Sequence, residues 1–277
     1  MNHINDNEAE PSLREGGQGP TVLCLHANAS SSSQWRLLMD RLAPTCRVLA
    51  PDLLGAGGSP HRRPTGRLAA LDDELALLAP VLARAGARFT LVGHSYGAAL
   101  ALLAAVRHAD RVQALVLYEP TLFALVDAQR PPPNEVDALR AVVEAVAAAL
   151  AHGHSDTAAR HFIDYWMGAG SFAAMPVSRR ESIESMIWDA PAWATALCGE
   201  KTPLSAFAAL EMPVLLMSGS DSPASSLSVT RLLAAALPHV SHQVFAGLGH
   251  MAPVTHPQRV NERIAAFLRA THLATAA

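Results

Sequence analysis

The chain has 277 residues, half of them hydrophobic and 16% charged, with a formal net charge of −3. That composition supplies a sizeable core and argues against disorder, and the lack of a basic excess argues against a nucleic-acid partner. The longest apolar run lies between Ala98 and Val106, far short of a membrane span. The first 20 residues are polar and carry no apolar leader pattern, so the expected location is cytoplasmic. The three cysteines, Cys24, Cys46 and Cys198, are widely spaced and form no CxxC, so neither a disulfide framework nor a metal cage is expected.

Pattern begins after the turn Gly16–Pro20. Thr21–Leu25 is a short apolar run with a β-branched start, and it reads as a buried strand. One further strand is expected before the turn, near Ser12–Glu15. Trp35, Leu38, Met39 and Leu42 recur at helical spacing. Arg47–Ala50 is a second strand, stopped by Pro51. Leu68–Ala85 reads as a helix closed by Gly86, with Pro80 expected to kink it. Arg88–Val92 and Val112–Tyr118 are the next strands, with a helix to Arg107 between them.

Short apolar strands separated by helices predict a mostly parallel sheet covered on both faces. From Pro120 to about Leu210 the alternation stops. This stretch has helical segments, Pro131–Pro133, and three of the four tryptophans. Alternation resumes at Pro213–Met217, a helix near Ser226–Leu237, a strand at Val240–Phe245 and a closing helix at Val260–Leu268. The expected organisation is an α/β core of seven or eight strands, built from residues 1–120 and 211–277. A helical lid, residues 121–210, is inserted after the strand ending near Tyr118.

Gly93-His94-Ser95-Tyr96-Gly97 matches G-x-S-x-G. The motif alone is weak, and its context gives it weight: Phe89–Val92 leads in as a strand and Ala98–Leu103 leads out as a helix. A tight strand-to-helix turn exposes a serine hydroxyl and places it at the positive end of a helix. Ser95 is therefore the candidate nucleophile.

At this point the chain resembles the α/β-hydrolase superfamily from about Pro20 onward. Leu25-His26-Ala27-Asn28 is similar to the family's oxyanion segment, with Ala27 where glycine is usual. Asp52–Ser59 is similar to its D-x-x-G-x-G-x-S loop. Gly219-Ser220-Asp221 is similar to its acid turn, and Gly249-His250 to its histidine loop. The family's order of nucleophile, acid and histidine is met by Ser95, Asp221 and His250.

A serine hydroxyl needs a base, and the base needs a carboxylate. Of 13 histidines, His250 alone combines the motif with a place just past the last strand, where ligands bind in parallel sheets. Asp221 is the expected acid. Glu119 is its rival, because it follows Val112–Tyr118 at the same sheet edge and the family sometimes places its acid there. The resemblance implies an oxyanion hole from the backbone N–H groups of Tyr96 and Asn28.

Trp166, Trp188 and Met251 are the expected substrate contacts. The implied activity is hydrolysis of a carboxylic ester, lactone or thioester of a small to medium apolar acyl group through an acyl-enzyme. The alternatives are C–C hydrolysis of a diketone-type acid, acyl transfer, or a non-catalytic binder on the same fold. Arg160, Arg179 and Arg180 matter here, because one of them turned inward would favour an acidic substrate. No cofactor or metal is expected, and the only expected partner is a small-molecule substrate.

Overall fold

The computed structural model describes residues 10–60 and 68–275. In chain order the elements are β1 (Leu13–Gly16), β2 (Thr21–Leu25), α1 (Arg36–Leu42), β3 (Arg47–Pro51), α2 (Leu71–Arg84), β4 (Phe89–His94), α3 (Tyr96–Arg107) and β5 (Val112–Tyr118). Six helices follow: α4 (Ala124–Gln129), α5 (Asp137–Ala151), α6 (Ser155–Met167), α7 (Val177–Met186), α8 (Ala190–Gly199) and α9 (Leu204–Ala208). The chain then closes with β6 (Val214–Gly219), α10 (Ala224–Ala236), β7 (Val240–Phe245), α11 (Ala252–Thr255) and α12 (Pro257–Thr275).

The described strands form one sheet in the order β1-β3-β2-β4-β5-β6-β7. All neighbours are parallel except β1, which runs antiparallel to β3. The strand expected near Ser12–Glu15 is β1, and the count among the described residues is seven. Pro80 lies inside α2 without ending it.

Strand side chains alternate between two apolar layers, as the period of two requires. On β2, Val22 and Cys24 join Trp35 and Leu38 of the α1 segment and Val260, Ile264 and Leu268 of α12. Leu23 and Leu25 face the other way, toward α2 and α3. Helix α3 is buried on almost every side, which suits its run of alanines. The same apolar cluster continues without a break into Leu139, Ile163, Trp166 and Trp193 of α5, α6 and α8.

The chain leaves β2 outward to β3 and returns to β4 on the other side. In a parallel sheet this reversal opens a crevice at the carboxyl ends of the two strands. Leu25 pairs with Gly93 there, so the segments that follow, residues 26–29 and Ser95, start side by side.

Candidate active site

Ser95 stands between the last residue of β4 and the first of α3, with φ 57 and ψ −116. A non-glycine residue in this region stores strain of about 1–3 kcal/mol. The surroundings impose it. The Ser95 N–H donates to the Tyr118 carbonyl at 2.9 Å, and its own carbonyl accepts the N–H groups of Ala98 and Ala99. The flanking glycines have no room for a side chain. A Cβ at Gly93 would lie 2.5 Å from Ala98 Cα, and one at Gly97 would lie 2.3 Å from the Leu25 carbonyl oxygen.

His250 follows β7 on a short loop and is buried. Its Nε2 lies 2.9 Å from Ser95 Oγ. Its Nδ1 lies 2.6 Å from Glu119 Oε2. The structure thus brings Ser95, His250 and Glu119 into one hydrogen-bonded line, and Asp221 is not in it. This corrects the expectation for the acid. Asp221 is exposed, and its Oδ1 accepts a hydrogen bond from the neighbouring Ser220 hydroxyl at 2.7 Å.

The reason lies in how the ends of β5 and β6 are built. Glu119 has φ 44, a left-handed conformation, as the first residue after β5. Its carboxylate is fully buried and accepts the Gly219 N–H at 2.7 Å, the Ser222 hydroxyl at 2.5 Å and the Ser226 hydroxyl at 2.9 Å. The turn after β6, where an acid was expected, instead supplies donors to the acid of the neighbouring strand. Burial alone would raise the Glu119 carboxyl. The hydrogen bond and charge of His250, with Ser222 and Gly219, outweigh it and hold the group below the usual carboxylate range.

A second polar chain braces the site from behind. The Ala27 N–H donates to Gln34 Oε1, and Gln34 Nε2 donates to His94 Nδ1 at 3.1 Å. His94 Nε2–H donates in turn to the His250 carbonyl at 2.9 Å. His26 Nδ1–H donates to the Ala27 carbonyl, and its Nε2 accepts the Leu53 N–H. Burial pushes the His26 imidazolium down to about 4 and holds His94 well below the ordinary range, so both are neutral near pH 7. Tyr118 fixes the histidine loop through its hydroxyl, which donates to the Gly249 carbonyl at 2.9 Å. Neither Gln34 nor the role of His94 was visible in the sequence, since the contact that joins them spans 60 positions and the one from His94 to His250 spans 156.

Ser95 and His250 open onto a narrow cavity of about 40 Å³. Asn28, Trp166 and Met251 line it, together with Thr121, Phe123, Leu139, Val143, Phe162 and Trp193. Trp166 stacks on the His250 ring with centroids 4.2 Å apart. Tyr96 is the first residue of α3, and its hydroxyl reaches Glu74 at 3.3 Å.

Trp188 is a second correction. It is 54% exposed and does not line the cavity. Its neighbours Ile187 and Ala190 take the inward positions, and Trp193, farther along on α8, supplies the indole at the cavity. None of the three arginines lines the cavity either. Arg160 is exposed on α6, and Arg179 donates to the Ala29 carbonyl, in the loop after β2, at 3.1 Å. Thr121 is a surprise, because its buried hydroxyl has no partner among the described residues. No group of three or more metal-ligating side chains occurs among the described residues, and no described helix is long and apolar enough to cross a membrane.

The sheet order, the elbow and the histidine loop define an α/β hydrolase. The comparisons agree: the model of the alpha/beta hydrolase fold family matches residues 20–257, and the chain belongs to that family. It is 34% identical over 147 residues to Lipase LipV of Mycobacterium tuberculosis, covering 50% of this chain and 54% of the lipase. It is 34% identical over 110 residues to 2-hydroxymuconate semialdehyde hydrolase of a Pseudomonas species, covering 38% of each. The chain therefore spans about half the length of the lipase and less of the semialdehyde hydrolase. Among solved structures, a thermophilic esterase from Thermogutta terrifontis superposes with a TM-score of 0.70 at 25% identity, covering 94% of this chain and 93% of that one.

Proposed function

We propose that this chain is a serine hydrolase that cleaves carboxylic esters of small to medium apolar acyl groups. Ser95 is the nucleophile, His250 the base and Glu119 the acid. The observation that carries the reading is the unbroken line from Ser95 Oγ through the His250 ring to a buried, three-donor carboxylate, facing a cavity whose lining holds no aspartate, glutamate, lysine or arginine.

The mechanism follows from the geometry. His250 Nε2 takes the Ser95 proton as Oγ attacks the ester carbonyl carbon. Glu119 accepts the Nδ1–H, which fixes the ring's orientation and stabilises the imidazolium. The stacked Trp166 adds the attraction of a π face for that cation and keeps water off the ring. The developing oxyanion is held by the backbone N–H groups of Tyr96 and Asn28, at the helix start and the neighbouring loop. The tetrahedral intermediate collapses, His250 returns its proton to the departing alkoxide, and acyl-Ser95 remains. Water, deprotonated by His250, then releases the acid and restores the hydroxyl.

Residues 121–210 serve as a lid, because α5, α6 and α8 supply most of the apolar wall. A C–C hydrolase of a diketone-type acid is supported by the semialdehyde hydrolase relative. Against it stands the absence of a lining cation to hold a substrate carboxylate. A non-catalytic binder would have no use for a buried carboxylate, whose desolvation costs several kcal/mol. The lipase and esterase likenesses favour the ester reading.

The direct test is labelling by a fluorophosphonate, with mapping of the modified peptide, beside hydrolysis of p-nitrophenyl butyrate. Label on Ser95, and activity lost in Ser95→Ala, are expected. An unlabelled Ser95, or an alanine variant with near-parental turnover, refutes the proposal.

A further inference from the structure

One line of hydrogen bonds joins the two halves of the site, and its polarity is fixed at every link. Gln34 lies in the turn before α1, where its own N–H donates to the Ser31 carbonyl at 3.0 Å. Its Oε1 takes the Ala27 N–H at 3.2 Å, and a backbone N–H can only donate. That bond orients the amide, so Gln34 Nε2 donates to His94 Nδ1 at 3.1 Å. A ring nitrogen that accepts carries no proton. The proton of His94 therefore sits on Nε2, which donates to the His250 carbonyl at 2.9 Å. The line starts on a backbone N–H of the oxyanion segment and ends on the backbone carbonyl of the base.

Resting on the serine-hydrolase reading, we propose that Gln34 is a positioning residue for catalysis: it locks His94 as the neutral Nε2–H tautomer, which holds the backbone of His250 and keeps a second cation away from the base. The first part of the argument is geometric. His94 fixes the His250 carbonyl, and Tyr118 fixes that of Gly249, so the loop that aims the His250 ring at Ser95 is pinned at two successive residues. At its other end the line takes up the Ala27 N–H. The next N–H, that of Asn28, makes no hydrogen bond among the described residues and is left for the oxyanion.

The second part is charge. The rings of His94 and His250 have centroids 5.2 Å apart. His250 becomes an imidazolium when it takes the Ser95 proton, and a proton on His94 Nδ1 would set a like charge beside it. The Gln34 donor opposes that proton. The other titratable groups facing His94 are His26 and Tyr118, and no carboxylate bonds to its ring. His250 itself faces Glu119, Ser95 and the Trp166 indole. Burial of His94 works in the same direction as Gln34, since it too disfavours the charged ring.

Two substitutions separate the links. Gln34→Glu keeps an acceptor for Ala27 but presents His94 Nδ1 with an acceptor in place of a donor, so a proton is drawn onto Nδ1. Gln34→Met keeps the length and breaks both bonds. NMR of protein labelled with ¹⁵N-histidine reads the ring directly. The wild type is expected to carry the His94 proton on Nε2 and none on Nδ1 near pH 7, and Gln34→Glu to carry one on Nδ1. Both variants should hydrolyse p-nitrophenyl butyrate, and react with a fluorophosphonate, about fivefold to tenfold more slowly, with KM changed by less than about twofold. The acidic limb of kcat/KM should move to lower pH by roughly half a unit in Gln34→Glu, because a charged His94 weakens the base, and stay in place in Gln34→Met. A purely structural role would not move that limb. A wild-type proton on Nδ1, near-parental rates in both variants, or an unmoved limb in Gln34→Glu overturns the proposal. The fluorophosphonate separates the two readings. If it labels Ser95 but the ester is untouched, the ester reading fails, and the labelling rates and their pH limb still judge Gln34. If Ser95 is not labelled at all, the serine-hydrolase reading fails and takes the positioning role with it.

Discussion

Ser222 Oγ lies 2.5 Å from Glu119 Oε1, so the turn after β6 serves the carboxylate of β5. A hydrogen bond to a buried charge contributes about 1.5–3 kcal/mol. Ser222→Ala should therefore lower the unfolding free energy by about 2 kcal/mol at pH 7, and it should reduce kcat by weakening the hold on Glu119. Urea titration and initial rates read both. A variant of parental stability and parental kcat would show that Ser222 does not support the acid.

The contrast between Glu119 and Asp221 shows what the sequence can and cannot reveal. Ser95 is legible because its constraints are local: glycines two positions away and a strand and helix on either side. His250 is legible from its loop and its place in chain order. The acid is not legible, because Glu119 and Asp221 both follow strands at the same sheet edge. Which of them meets His250 depends on the left-handed backbone at Glu119 and on donors 100 or more positions away. The serines at 220, 222, 225 and 226 were the available signal, since a cluster of hydroxyls suits a carboxylate supplied from elsewhere. Trp188 and Trp193 pose the same difficulty on a helical insertion, where a one-residue phase difference decides which indole faces in.

Acid stability should reflect the two buried neutral histidines. The unfolded chain binds protons at His26 and His94 as pH falls below about 6.5, whereas the folded chain resists, His26 until about 4. Their stabilisation is thus present in full above pH 6.5 and is lost as pH falls toward 4. His26 alone accounts for a loss on the order of 3 kcal/mol. Urea midpoints measured from pH 7 to 4.5 should fall steadily. A flat profile over that window would rule out neutral burial of both rings.

Thr121 carries a buried hydroxyl without a partner at the cavity wall. Leaving such a group unsatisfied costs about 1–3 kcal/mol, and an isosteric methyl removes that cost. Thr121→Val is expected to raise the unfolding free energy of the unliganded protein by about 1 kcal/mol. A loss of stability would mean that the hydroxyl is bonded in solution.

Acyl-chain selectivity should follow the cavity. Each methylene buried against its apolar wall is worth up to about 0.8 kcal/mol, or roughly fourfold in kcat/KM. With about 40 Å³ of space, the gain should run from acetate to butyrate or hexanoate and then stop. A p-nitrophenyl series to decanoate, with a dicarboxylic half-ester as control, measures it. A flat series, or a preference for the half-ester, contradicts an apolar acyl pocket.

The central claim is that Glu119, and not Asp221, completes the line to Ser95. The most direct measurement is kcat/KM on p-nitrophenyl butyrate for Glu119→Gln beside Asp221→Asn. The account predicts a fall on the order of 10⁴ for Glu119→Gln, the size of an acid-to-amide change in other triads, and a far smaller effect for Asp221→Asn. The reverse ranking would contradict it and return the acid to the turn after β6.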